Sequence, residues 1–124
     1  MSDYSSRDVA QLLGISVRQV YRHARAGFIK PARGIRRAYQ FSFQDLVLIR
    51  AARALADARI SPRRVRRALR RLVRELPEGH PLGDIRITAE EGRIVARDGT
   101  REWNPESGQL QLELRAGRRV KRKR

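Results

Sequence analysis

The sequence predicts an α+β fold: four helices, a short β-hairpin between the second and third, and a small C-terminal antiparallel β-meander. Three observations predict it. Apolar residues recur at helical spacing in four stretches up to residue 76, each with a serine in a capping position. Beyond residue 81 the period changes to two, and turn-forming residues separate short apolar runs. Between the second and third helical stretches, residues 30–41 carry turn residues, four cations and two aromatics.

The chain is organised around residues 5–29, SSRDVAQLLGISVRQVYRHARAGFI. Ser5 to Asp8 and Ser16 to Gln19 are both S-x-x-[DQ], in which the serine caps the first amides and the fourth residue reaches back. Val9, Leu12 and Leu13 form one apolar face, and Val17, Val20, Tyr21 and Ala24 form another. The expected helices run over 7–13 and 17–26. Gly14 supplies the positive φ that ends the first, and Gly27 ends the second before Phe28 and Ile29 return to the core. Two capped helices joined by so short a turn outline a helix-turn-helix.

Residues 30–41, KPARGIRRAYQF, read as a wing-like hairpin with Arg33-Gly34 near its tip. A third helix follows Ser42, again as S-x-x-D with Asp45, and takes its apolar side from Leu46, Ile49 and Leu55. Ile60-Ser61-Pro62 starts a fourth, with Ser61 as cap and Pro62 at the first helical position. There Val65, Leu69, Leu72 and Leu76 share one stripe, seven arginines cover the remainder, and Pro77 closes the helix. Strands are expected over 84–88, 93–97, 100–103 and 109–114, with Asp98-Gly99 as a tight turn. So small a sheet needs to lean on the helices or on a second subunit. The organisation expected is 1–77 as the helical unit, 78–114 as a β appendage and 115–124 as a disordered basic tail.

Composition narrows the partners. The net charge is +16, and all of the 29 basic residues except Lys30, Lys121 and Lys123 are arginine. A field of that size attracts polyanions, and arginine adds planar donors suited to phosphate and to guanine edges. There is no cysteine, which excludes disulfides, thiolate metal sites and a cysteine nucleophile. No apolar run suggests a signal peptide or membrane span, so a cytoplasmic protein without membrane association is expected. No catalytic set, phosphate-binding glycine loop or metal-ligand cluster stands in the sequence. No enzyme activity, cofactor or metal is expected.

Taken in order, these residues resemble the DNA-binding domain of the MerR family of bacterial transcription regulators, over roughly residues 4–76. The resemblance is carried by Tyr4-Ser5 through Val9-Ala10 and by Leu13-Gly14-Ile15-Ser16-Val17-Arg18. It continues in Ala26-Gly27-Phe28-Ile29-Lys30-Pro31, Ser42 with Asp45-Leu46, and Ile60-Ser61-Pro62 with Val65. It implies a winged helix-turn-helix that binds double-stranded DNA. The chain departs from the family in reading Tyr21-Arg22-His23-Ala24 in the middle of the second helix. Its wing cations stand upstream, at Arg33, Arg36 and Arg37, and no long dimerising helix follows the fourth helix.

Arg18, Arg22 and Arg25, spaced i, i+4 and i+7, line the side of the second helix facing away from Val17, Val20 and Tyr21. Arg18, Gln19 and Arg22 are the base-reading candidates, arginine for guanine and glutamine for adenine. Ser16, Tyr21, Arg25, Arg33, Arg36, Arg37, Tyr39 and Arg63 are the phosphate or wing candidates. Tyr21 and a half-buried His23 are expected mainly to pack, His80 to lie in a linker, and Trp103 to anchor the meander. The function expected is a sequence-specific transcriptional regulator acting on the bacterial nucleoid. It would bind as a homodimer or DNA-templated oligomer, with RNA polymerase as a further partner. The alternatives are an excisionase-like DNA-bending factor and, in a different class, a protein-interaction adaptor using the meander.

Overall fold

The computed structural model describes residues 4–76, 81–99 and 101–107. Pro77, His80, Thr100, the strand expected at 109–114 and the basic tail at 115–124 lie outside the described residues. Helix α1 (Ser6–Leu13) opens on the expected capping box: the Asp8 amide donates to Ser5 Oγ, and the Ser5 amide donates to Asp8 Oδ2, both at 3.0 Å. Its buried residues are Val9 and Ala10, while Leu12 is 61% exposed. The expected grouping of Val9, Leu12 and Leu13 is therefore corrected. Val9 and Leu13 stack at i, i+4, Ala10 completes the inward face, and Leu12 falls to the other side of Val9.

Gly14, at φ 69, closes α1, and the Ile15 amide reaches back to the Ala10 carbonyl at 3.0 Å. Helix α2 (Val17–Ala24) follows at once, capped by Ser16, and Val20 is its one fully buried residue. The helix ends two residues earlier than expected. The Arg25 amide bonds to the Tyr21 and Arg22 carbonyls, and Gly27, at φ 100, turns the chain so that Phe28 and Ile29 enter the core. Tyr21 is 39% exposed, which corrects its expected place in the core.

The wing pairs β1 (Ala32–Arg33) with β2 (Tyr39–Gln40), Ala32 opposite Gln40 and Arg33 opposite Tyr39. A short 3-10 turn, Ile35–Arg37, forms its tip, so the tip lies beyond the expected Arg33-Gly34. Gly34 lies against the Gln40 side chain, whose Cδ would stand 2.8 Å from a Cβ there. The wing's exit is tied to the start of the described chain by a two-way bridge. The Tyr4 amide donates to the Phe41 carbonyl at 2.8 Å, and the Phe41 amide returns the bond at 2.7 Å. Phe41 is fully buried, so this bridge sets the beginning of α1 beside the wing.

Helix α3 (Phe43–Asp57), capped by Ser42 and Asp45, contributes Leu46, Leu48, Ile49, Ala51, Ala52 and Leu55 to the core. It ends in a Schellman turn. Arg59 takes φ 69, its amide bonds to Ala56, and the amide of buried Ile60 bonds to the carbonyl of buried Leu55. Helix α4 (Pro62–Glu75) starts on Ser61 and Pro62 and buries Val65, Ala68, Leu69 and Leu72. Leu76 is its half-buried C-cap.

Among the described residues three antiparallel strands follow, β3 (Arg86–Glu90), β4 (Arg93–Asp98) and β5 (Arg101–Trp103), in that order across the sheet. β3 starts two residues later than expected because a 3-10 turn, Leu82–Asp84, comes before it. Ile87, Ile94, Ala96 and Trp103 form the sheet's buried side and join the helical residues in one hydrophobic core. The meander leans on the helices.

Candidate nucleic-acid interface

The bridge between Tyr4 and Phe41 opens a shallow cleft of about 590 Å³ among α1, α2 and the wing. Ser5, Ser6 and Arg7 form one wall, Val17, Tyr21 and Arg25 a second, and Arg33, Arg37, Ala38 and Tyr39 the third. Four guanidinium groups thus converge on the cleft, and among the described residues no carboxylate lines it. Its two tyrosines touch, with ring centroids 5.8 Å apart, and Tyr39 in turn meets Phe41 at 5.7 Å. Tyr21 is exposed because it lies between α2 and the wing, not between α2 and the core. An anion in the cleft would meet cations over an aromatic floor, beside the positive N-terminal end of α1.

The wing is organised for this task from within. Arg33 stacks on Tyr39, 4.0 Å from the ring centroid, and donates from Nη1 to the Arg37 carbonyl at 2.6 Å. Arg36 and Arg37 hold φ 59 and 61, a region unfavourable to any residue with a Cβ. Two successive left-handed arginines at an exposed tip store strain, a pattern that clusters at binding sites.

The base-reading candidates fall outside this cleft. Arg18 and Arg22 are exposed on α2, and neither side chain makes a hydrogen bond or ion pair among the described residues. Gln19 differs from them. Its Oε1 accepts from the Ser16 amide at 3.0 Å and lies 3.3 Å from the Ser16 hydroxyl, while its own amide donates to Ser16 Oγ. Ser16 and Gln19 are thus occupied in starting α2, and only the Gln19 amide nitrogen is left to address a base. Arg36 stands at the wing tip, and Arg63 stands at the start of α4; neither lines the cleft. His23 is half-buried with its ring edge towards Phe28, 6.1 Å between centroids. Burial pushes its pKa below the ordinary value, and the charges of Arg22 and Arg53 add to the effect.

Sequence reasoning missed Ser5, Ser6, Arg7 and Ala38 as cleft residues. The missing information was the Tyr4–Phe41 pairing, which joins segments far apart in the chain and has no local signature. It also left the arginines of α4 without assigned partners. Arg64 grips Glu106 with both ends of its fork, Nη2 to Oε1 at 2.9 Å and Nε to Oε2 at 3.2 Å, and donates to the Gly92 carbonyl at 2.8 Å. Arg67 reaches Glu106 Oε2 at 3.5 Å, and Arg71 donates to the Glu106 carbonyl at 3.3 Å. The hydrogen bond from Arg64 holds the Glu106 carboxyl below the usual carboxylate range, against the opposing effect of burial. These three arginines fasten the meander to α4.

Residues 4–53, from the Tyr4 bridge through α1, α2, the wing and most of α3, match a family model described as a helix-turn-helix domain. The chain carries a helix-turn-helix unit. No curated protein and no solved structure matches it. Among the described residues, no helix is long and apolar enough to cross a membrane.

Proposed function

We propose that the protein is a sequence-specific regulator of transcription that reads double-stranded DNA with α2 in the major groove and grips the flanking backbone with the wing. The observation that carries this reading is the arginine-lined cleft between α2 and the wing, set beside the exposed arginines of α2. A backbone phosphate in the cleft fixes register, and Arg18 and Arg22 then face base edges. The ordered resemblance to MerR-family DNA-binding domains supports a regulatory role on the bacterial nucleoid. It also supports binding as a homodimer or as copies aligned by the DNA, with RNA polymerase as the downstream partner.

Selection from random duplexes tests the proposal. The expected result is an enriched motif containing guanines whose methylation at N7 blocks binding, because N7 is the major-groove atom an arginine reaches. Recovery of no motif would defeat the sequence-specific reading. Strong enhancement of DNA circularisation with no change in promoter output would assign the protein to excisionase-like bending instead.

A further inference from the structure

Helix α4 divides its surface into three stripes with different partners. Val65, Ala68, Leu69 and Leu72 face the core. Arg64, Arg67 and Arg71 face the meander and bond to Glu106, Gly92 and, in the case of Arg71, also Glu75 at 3.8 Å. Arg63, Arg66, Arg70 and Arg74 remain, spaced i, i+3, i+7 and i+11, which places them on a third stripe. Among the described residues, none of these four side chains makes a hydrogen bond or ion pair. The sequence places no Asp or Glu between Pro62 and Arg74, so like charges adjoin along the stripe without interleaved acids, an arrangement that weakens a helix standing alone. Two described carboxylates, Glu75 and Glu106, are both spent on the second stripe.

The position of the third stripe is informative. The Arg70 guanidinium lies 3.8 Å from where a Cβ on Gly27 would stand, so it covers the turn that immediately follows α2. Arg53 of α3 acts electrostatically on His23, one turn before that point. At Arg70 the stripe therefore passes beside the turn that ends α2, on an element separate from the wing. At about 1.5 Å of rise per residue it runs for roughly 16 Å. One strand of a duplex carries about one charge per 3.4 Å, so that length spans roughly five phosphates of a strand.

We propose that Arg66, Arg70 and Arg74 form a second phosphate track for duplex DNA, extending beyond Arg63 and separate from the cleft beside the wing. The proposal rests on the reading that α2 faces duplex DNA. The track adds affinity without sequence information, because arginine on phosphate does not distinguish bases.

The test is the triple variant Arg66→Gln, Arg70→Gln, Arg74→Gln in the full chain, titrated with the selected duplex and with a scrambled one. Salt would be varied from about 50 to 200 mM. Each lost phosphate contact lowers the log-log salt slope by about 0.9, so the expected drop approaches 3 units. The affinity lost across that salt range then shrinks by roughly fortyfold, equally for both duplexes. Ethylation interference is expected to lose phosphates that variants of Arg33 and Arg37 leave in place. The corresponding triple lysine variant keeps the slope, since charge and not fork geometry is at work, and an unchanged far-ultraviolet spectrum shows that α4 is intact. An unchanged slope in the glutamine variant, with Arg22→Ala still abolishing preference for the selected site, overturns the track and leaves the proposed function standing. If neither variant alters binding, both readings fall.

Discussion

The wing tip gives a prediction in which stability and binding move in opposite directions. Arg36 and Arg37 sit at φ 59 and 61, and for a residue with a Cβ that conformation costs roughly 1–2 kcal/mol. Replacing both by glycine removes the strain but frees the unfolded chain, a cost of about 0.5–1 kcal/mol for each. The hydrogen bond from Arg33 ends on the Arg37 carbonyl and survives the change. The Arg36→Gly, Arg37→Gly variant is therefore expected to gain about 1–2 kcal/mol in urea denaturation, the difference of those two terms over both positions. If both side chains reach phosphate, its log-log salt slope falls by about 1.8 units. That amounts to about twelvefold less affinity lost between roughly 50 and 200 mM salt. Arg59→Gly is the control: Arg59 has φ 69 at the end of α3, so this single change should gain about half as much stability and leave DNA binding unchanged. A double variant less stable than the parent, or one that keeps the full slope, would refute the reasoning.

Other substitutions separate roles that share a residue. Ser16→Ala removes the cap of α2 and should cost about 1 kcal/mol in thermal or urea unfolding. Gln19→Glu keeps the oxygen that closes the capping box and removes the amide nitrogen, so stability should hold. A loss of preference at adenine positions in that variant would show that the nitrogen reads a base. Arg33→Lys keeps the charge but loses the stack on Tyr39 and the fork, so affinity should drop by about tenfold with the salt slope unchanged. The pKa of His23 is lowered in the folded state, so the unfolded chain binds more protons below the ordinary value of 6.5. Its neutral, folded form is favoured fully above 6.5, and that contribution is lost as the pH falls below it. Urea midpoints at several pH values should show this decline, and His23→Phe should flatten it.

Local chemistry made much of the fold legible. The capping serines at 5, 16, 42 and 61, with Gly14 and Pro62, place all four helix starts, because caps act within three residues. Trp103 was legible as the anchor of the meander, and it is buried with Ile87 and Ile94. Side-chain direction at the edges of that pattern was less so. Leu12 and Tyr21 have apolar character and helical spacing, but α1 and α2 are each eight residues long and bury too few positions to cover a full stripe. What escaped altogether was long-range pairing. The cleft depends on Tyr4 meeting Phe41, and the division of the α4 arginines depends on Glu106, which lies in a turn far along the chain. Composition counts charges but does not say which of them are already neutralised.

The most direct test of the central claim is the ratio of affinities for the selected and scrambled duplexes, measured for Arg22→Ala and for a chain lacking residues 115–124. Arg22 is exposed on α2, outside the cleft, where only base reading or nonspecific attraction gives it a role. The account predicts that Arg22→Ala lowers the ratio by about tenfold or more, in line with roughly 1–3 kcal/mol for a bidentate arginine contact. Removing the tail should lower both affinities and leave the ratio in place. A ratio that survives Arg22→Ala but collapses when the tail is removed would contradict groove reading by α2.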